Sequence, residues 1–212
     1  MKALAVASEP YIFWRGENVG AIVREIPIPE QLGMLEPADP ALNGPTGIAL
    51  DEWILGPLGL KREDAWLCDL VPHSCMNSRQ RAAIARAYQP AVNSYGLPAP
   101  SVPGVPRRLA TECRRQQILA EIESSEAGTL VLLGDQPIQW FLSHYDGRWH
   151  RLRDFGTDSQ TYGVLHHVHL GTKTLGILPL AHPRQIARLG PASGRWYDLH
   201  QAWVRRTGPG QR

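Results

Sequence analysis

Three apolar runs in this chain end in residue types that do chemistry. The run Lys2 to Ala7 leads into Ala7-Ser8-Glu9-Pro10-Tyr11. The run Ala65 to Val71 carries Asp69 and breaks at Pro72-His73-Ser74. The run Thr174 to Leu180 ends in Ala181-His182-Pro183-Arg184. A carboxylate can orient water or stabilise a cation, and an imidazole, which titrates near neutral pH, can donate a hydrogen bond or a proton. Asp69 poses a different question, because a charge inside a run that reads as buried needs a reason. Plainer accounts exist for each: a solvated loop acid for Glu9, a turn histidine before proline for His182, and a loop cap or an arginine partner for Asp69.

The elements that position these residues follow from periodicity and breakers. Lys2–Ala7, closed by Pro10, reads as a buried parallel strand. Residues 24–46, with Pro27, Pro29, Pro37, Pro40 and Pro45, read as an irregular loop. Gly47 to Leu58 predicts a helix with Ile48, Leu50, Trp53, Ile54 and Leu58 near one face. Ala65–Val71 reads as a second strand, and Asn77–Tyr88 as a basic helix capped by Asn77 or Ser78. A proline-rich connection over 89–108 leads to an amphipathic helix, Thr111–Ser125. Thr129–Leu133 is the third strand, running through Gly134-Asp135 into a helix with Ile138, Trp140 and Phe141. Val164–Leu170 and Thr174–Leu180 are further strands. Strands alternating with helices, with reactive residues beyond the strands' carboxyl ends, predict a parallel sheet covered on both faces.

At 212 residues the chain suits one α/β domain, expected to bury about 70% of its unfolded surface without a disulfide or metal staple. We expect that domain over residues 1–204 and a basic, flexible tail over 205–212. Net charge is only +2, yet Arg184, Arg188, Arg195, Arg205, Arg206 and Arg212 face a single acid, Asp198, which favours a polyanionic partner. A solvated tail would have the same composition. Cys68, Cys75 and Cys113 fit neither a paired motif nor a disulfide framework and read as reduced thiols, too few for a four-cysteine iron-sulfur cluster. His166, His167 and His169 have no carboxylate pattern around them and read as edge-strand residues facing solvent rather than a zinc site. No metal and no cofactor are expected. No apolar run approaches the roughly 20 residues of a membrane helix, and the N-terminal run is too short for a secretory signal. A cytoplasmic protein is expected, with no membrane and no obligatory protein partner.

The three strand ends together resemble the uracil-DNA glycosylase superfamily. The family's first segment reads like Gly-Gln-Asp-Pro-Tyr, and its carboxylate orients the attacking water. The resemblance gives that role to Glu9, with Ser8, Pro10 and Tyr11 beside the base. Its last segment reads like His-Pro-Ser, and its histidine, here His182, stabilises the negative charge growing on the departing base. Gly44-Pro45-Thr46-Gly47, followed by Leu50-Asp51 and Gly59-Leu60-Lys61-Arg62, resembles the family's Gly-x-x-Gly helix start and the approach to its second strand. Leu132-Leu133-Gly134 is similar to the third strand and turn, and Gly147-Arg148-Trp149-His150 to a segment preceding the His-Pro strand. A rival register exists in Gly16-Glu17-Asn18-Val19-Gly20, similar to a Gly-Glu-x-Pro-Gly variant of the first motif. It lacks the proline and lies well past the strand, so Glu9 is favoured over Glu17. The resemblance implies a three-layer α/β/α sandwich around a central, mainly parallel four-stranded sheet. It also implies a monofunctional DNA glycosylase that flips a base and hydrolyses its N-glycosidic bond, leaving an abasic site. Breaking that bond builds positive charge on deoxyribose and negative charge on the base, which a carboxylate and a hydrogen-bond donor meet in turn.

Two departures bear on the substrate. Uracil readers of the family carry asparagine where Asp69 stands. An ionised Asp69 only accepts, which suits the exocyclic amino group of cytosine better than the O4 of uracil. Where the family stacks a phenylalanine on the base, this chain offers Ile22 or Val23 in one register and Leu42, beside Asn43, in the other. Tyr11 matches the residue that blocks the methyl group of thymine. These features point to a bulky modified cytosine, such as glucosylated hydroxymethylcytosine of phage DNA, and to a role in phage defence. The alternatives are an ordinary uracil glycosylase of base excision repair and an inactive DNA-binding module of the same fold. Base flipping must offset a few kcal/mol of unstacking. The segment after His182 is therefore expected to hold DNA, with Arg184 and Arg188 on phosphates and Gln185, Ile186 or Leu189 entering the stack. Ser74 and Asn77 are further phosphate contacts.

Overall fold

Several helices in this protein begin where the sequence supplies a cap or an early proline. The computed structural model describes residues 9–99, 102–189 and 193–208. The expected first strand, Lys2–Ala7, lies outside the described residues, as do Ser8 and Arg212. A short helix α1 (Val19–Arg24) is followed by a stretch with two single 3-10 turns, Glu30–Leu32 and Pro40–Leu42, within the loop expected over 24–46. Helix α2 (Pro45–Leu50) opens with its proline and continues through a π turn (Asp51–Leu55) into α3 (Gly56–Leu58). In α4 (Ser78–Ala87) the Asn77 side chain accepts the Gln80 N–H at 3.0 Å while the Gln80 side chain accepts the Asn77 N–H at 2.8 Å. This reciprocal cap fixes the start of the helix. The connection expected over 89–108 begins instead as α5 (Gln89–Tyr95), with Pro90 in its first turn, where the missing N–H has no helical partner to lose. Helix α6 (Glu112–Ser124) starts on the Thr111 side chain.

The described residues form two compact units, Met1–Ile48 with Pro72–Arg107, and Ala49–Val71 with Arg108–Arg212. The second holds the sheet. Strand β1 (Thr129–Leu133) runs parallel to β3 (Lys173–Leu180), and β2 (His166–Leu170) pairs antiparallel to β3 on its other side. The sheet is thus mixed rather than mainly parallel, and three strands are seen among the described residues. β2 and β3 make a hairpin because only Gly171 and Thr172 separate them, far fewer than the dozen or so residues a parallel crossover needs. From Leu175 to Leu180, β3 is buried on both faces, which accounts for its unbroken apolar sequence. His167 and His169 lie exposed on the outer face of β2.

Ala65–Val71, expected as a strand, makes no ladder. Two of its backbone groups bond side chains instead: Arg114, far along the chain, donates to the Asp69 carbonyl at 2.7 Å, and the Asp69 side chain accepts the Val71 N–H at 3.3 Å. Side chains that bond nearby backbone compete with sheet formation in this way. Past β1, helix α7 (Asp135–Trp140) follows Gly134, α8 (Pro183–Ile186) follows β3, and α9 (Ser193–Thr207) closes the described chain. Sequence reading did not foresee α9. It places Arg205 and Arg206 in its last turn, where Arg206 donates to the Ser159 carbonyl and, at 2.7 Å, to that of Tyr162. Ile138, Leu142, Leu170, Ile177, Leu180, Ile186 and Trp203 form the core of this unit. No helix among the described residues is long and apolar enough to cross a membrane.

Candidate active site

His182 stands where β3 turns into α8. Its imidazole Nδ1 accepts the Arg184 N–H at 3.2 Å, and the His182 backbone N–H donates to Gln185 Oε1 at 3.2 Å, so the histidine caps the helix it precedes. Burial, with the nearby Arg184 guanidinium, lowers its pKa to about 4. The ring is therefore neutral at physiological pH. With Nδ1 accepting, its proton sits on Nε2, making it a hydrogen-bond donor that needs no extra proton. Close approach at this corner depends on Gly134, whose N–H donates to the Leu180 carbonyl at 2.7 Å and whose α-carbon leaves little room for a side chain. A Cβ there would lie 3.1 Å from that of His182.

Asp69 is exposed, and its side chain caps the following turn through the Val71 N–H. Behind it, Arg114 bridges three groups: the Asp69 carbonyl, the Cys68 sulfur at 3.2 Å and the Glu121 carboxylate at 3.2 Å. Burial and the Glu121 carboxylate raise the Cys68 thiol to about 11, so this cysteine stays protonated. Sequence reading missed Arg114 in this role, although a cation on an amphipathic helix was a visible candidate for the partner of Asp69.

In the first unit, Glu9 and Pro10 are exposed, and Tyr11 reaches Glu17 rather than standing alone. The Tyr11 hydroxyl donates to Glu17 Oε2 at 2.7 Å, the Arg15 N–H to the same oxygen at 3.1 Å, and the Arg15 guanidinium to Oε1. The Tyr11 bond leads in lowering Glu17 to about 2. This loop is seated by the Gly-x-x-Gly helix start. A Cβ on Gly44 would lie 2.4 Å from the Trp14 carbonyl oxygen, and one on Gly47 would lie 2.1 Å from that of Phe13. Only glycines at both positions admit the loop. Phe13, at φ 56, is an aromatic residue held in an unusual backbone conformation here and was missed in the sequence.

The remaining expected site residues divide between exposed and structural positions. Leu42 is 61% exposed, whereas Val23 belongs to the core of its unit. Asn43 is buried and donates to the Ala38 carbonyl at 3.1 Å. Asn77 is the α4 cap, and Ser74 lies exposed two residues before the Met76 bridge to Gly104. Beyond His182, Gln185 is held in the α8 cap and Ile186 is fully buried, leaving Leu189, 39% exposed, as the apolar side chain able to enter a base stack. Arg184 is exposed and donates to the Leu189 carbonyl at 3.4 Å, and the Arg188 guanidinium lies 3.9 Å above the Tyr197 ring. Tyr162 and His200, also unforeseen, meet behind the His182 corner. The signal for His200 was its place between Trp196 and Trp203 on one stripe of α9.

The family model described as the uracil DNA glycosylase superfamily matches residues 39–200. That span contains Asp69 and His182 and begins after the loop with Glu9 and Glu17. No curated protein matches the chain.

Proposed function

The chain belongs to the uracil DNA glycosylase superfamily, and from that premise we propose that it flips a base out of DNA and hydrolyses its N-glycosidic bond, with His182 as donor to the departing base. One observation carries this reading. The His182 imidazole is partly buried and neutral, with Nδ1 accepting the Arg184 N–H and its proton on Nε2. A fixed neutral donor suits a leaving base that gains negative charge only as the bond breaks. Glu9 takes the other task, orienting the attacking water and facing the cationic sugar.

For the base we propose a modified cytosine, on the strength of Asp69, whose ionised side chain accepts but does not donate. A panel of oligonucleotides containing uracil, cytosine, 5-hydroxymethylcytosine or its glucosylated form, treated with alkali after incubation, tests both proposals. Strand breaks are expected with the modified cytosine, and His182→Ala should lower kcat about 100- to 1,000-fold, as loss of one such donor does elsewhere. Asp69→Asn should move preference toward uracil, and unaltered selectivity would remove the cytosine argument. Release of base from free nucleosides but from no DNA would replace the glycosylase reading with a nucleoside hydrolase.

A further inference from the structure

One line of hydrogen bonds crosses the core of the second unit and ends beside His182. It begins with a proline. Trp53 lies in the π turn Asp51–Leu55, and the residue four positions on, which would donate to its carbonyl in an α-helix, is Pro57. His200 supplies a donor to that carbonyl, its Nε2 lying 2.6 Å from the Trp53 oxygen. With the proton on Nε2, the ring offers Nδ1 as acceptor, and the Tyr162 hydroxyl donates to it at 2.9 Å. The Tyr162 oxygen in turn accepts the backbone N–H of Ala181 at 2.9 Å. The polarity of the whole line is fixed by its two ends, a carbonyl that only accepts and an amide that only donates, with both rings uncharged. Tyr162, Ala181 and His200 are all buried. Burial lowers His200 to about 4 and raises the Tyr162 hydroxyl above its ordinary range, so neither ionises near neutral pH.

Neither side chain has a task in the proposed bond cleavage. We propose that Tyr162 and His200 are positioning residues, which fix the backbone at the end of β3 so that the His182 imidazole points its Nε2–H at the departing base. This rests on the reading of His182 as that donor. The neighbours of Ala181 are already anchored, Leu180 through the Gly134 N–H and His182 through Gln185. Ala181 lies between them where strand becomes helix, and the Tyr162 hydroxyl is the acceptor for its buried N–H. Without that acceptor the corner must shift to find another partner. A displacement of about 1 Å at a donor can cost about 100-fold in rate.

Three variants separate positioning from packing. Tyr162→Phe deletes only a hydroxyl. His200→Leu deletes both polar ring atoms, and His200→Gln restores one acceptor and one donor at a similar spacing. Two readouts are needed: kcat and KM for base release from the uracil and modified-cytosine oligonucleotides, and the 15N shifts of the His182 ring, which report its tautomer. Tyr162→Phe and His200→Leu are expected to lower kcat about 100-fold with little change in KM. Both should blur the Nε2–H signature of His182, and His200→Gln should recover most of each effect. Wild-type kcat and an unchanged His182 tautomer in folded Tyr162→Phe protein overturn the proposal. If His200→Leu does not fold, Tyr162→Phe set against His200→Gln decides the matter. Wild-type protein that releases no base from any DNA defeats the glycosylase reading, and the His182 spectra of the same variants then decide the positioning separately.

Discussion

Glu17 holds its own loop together. Tyr11 and Arg15 place three donors on its two oxygens, and the acid is held down to about 2. A carboxylate has about four acceptor positions, so little capacity is left to orient a water. Its low pKa also makes it a poor base. Glu9, one residue before Pro10, is exposed, and the family resemblance gives it the water-orienting role. Glu9→Ala is therefore expected to lower kcat for base release by about 100-fold or more, the scale of a lost acid-base group. Glu17→Gln should chiefly loosen the loop, raising KM or lowering the melting temperature. The reverse pattern in kcat would give the carboxylate role to Glu17. Two registers were open in the sequence because both acids stand near Tyr11, and the Tyr11 bond to Glu17 is a tertiary fact. His182 was legible for the opposite reason, a long apolar strand followed at once by His-Pro.

At the level of elements, the strand ends matter through the glycines that let them approach. Gly134 sits at φ 84 and ψ -170, a region essentially reserved for glycine, with the Cβ of His182 directly ahead. Gly134→Ala should destabilise the protein by about 1–3 kcal/mol through backbone strain and should also displace His182, so that kcat falls as well. Gly128→Ala, at a position with open space and no positive φ, is the control. If the two variants melt and turn over alike, the corner is not as tight as argued. Among the helices, α4 was readable because its cap Asn77 is local chemistry. Ala65–Val71 misled because an apolar run says nothing of where its backbone bonds go, and Arg114, far along the chain, takes one of them. The β2–β3 hairpin was hidden for another reason. Both strands were visible, but only the two-residue gap at Gly171-Thr172 tells antiparallel from parallel. The Tyr162–His200 pair was not legible, since its partners lie 38 residues apart and meet only in the folded core.

For the molecule as a whole, burying neutral imidazoles ties stability to pH. His182 and His200 both titrate near 4 in the folded chain, against an ordinary value of 6.5. Between those values the unfolded chain binds more protons than the folded one, so stability rises with pH in that window. The two sites thus leave stability intact above about pH 6.5 and draw it down as pH falls toward 4, each by about 3 kcal/mol when the full shift is counted. Glu17 acts in a separate, lower window, because its stabilising ionised form is lost only as pH falls from 4.5 toward about 2. Urea unfolding between pH 7.5 and 4.5, followed by tryptophan emission, reads the upper window in the second unit, which contains every tryptophan except Trp14. The midpoint should fall steadily below pH 6.5 in wild-type protein. His200→Gln removes one of the two titrating rings and should lose about half as much stability over the same range. A midpoint that stays level from pH 7 to pH 5 would mean that these imidazoles are not held neutral by burial, and with it would go the premise that His182 meets the leaving base as an uncharged donor.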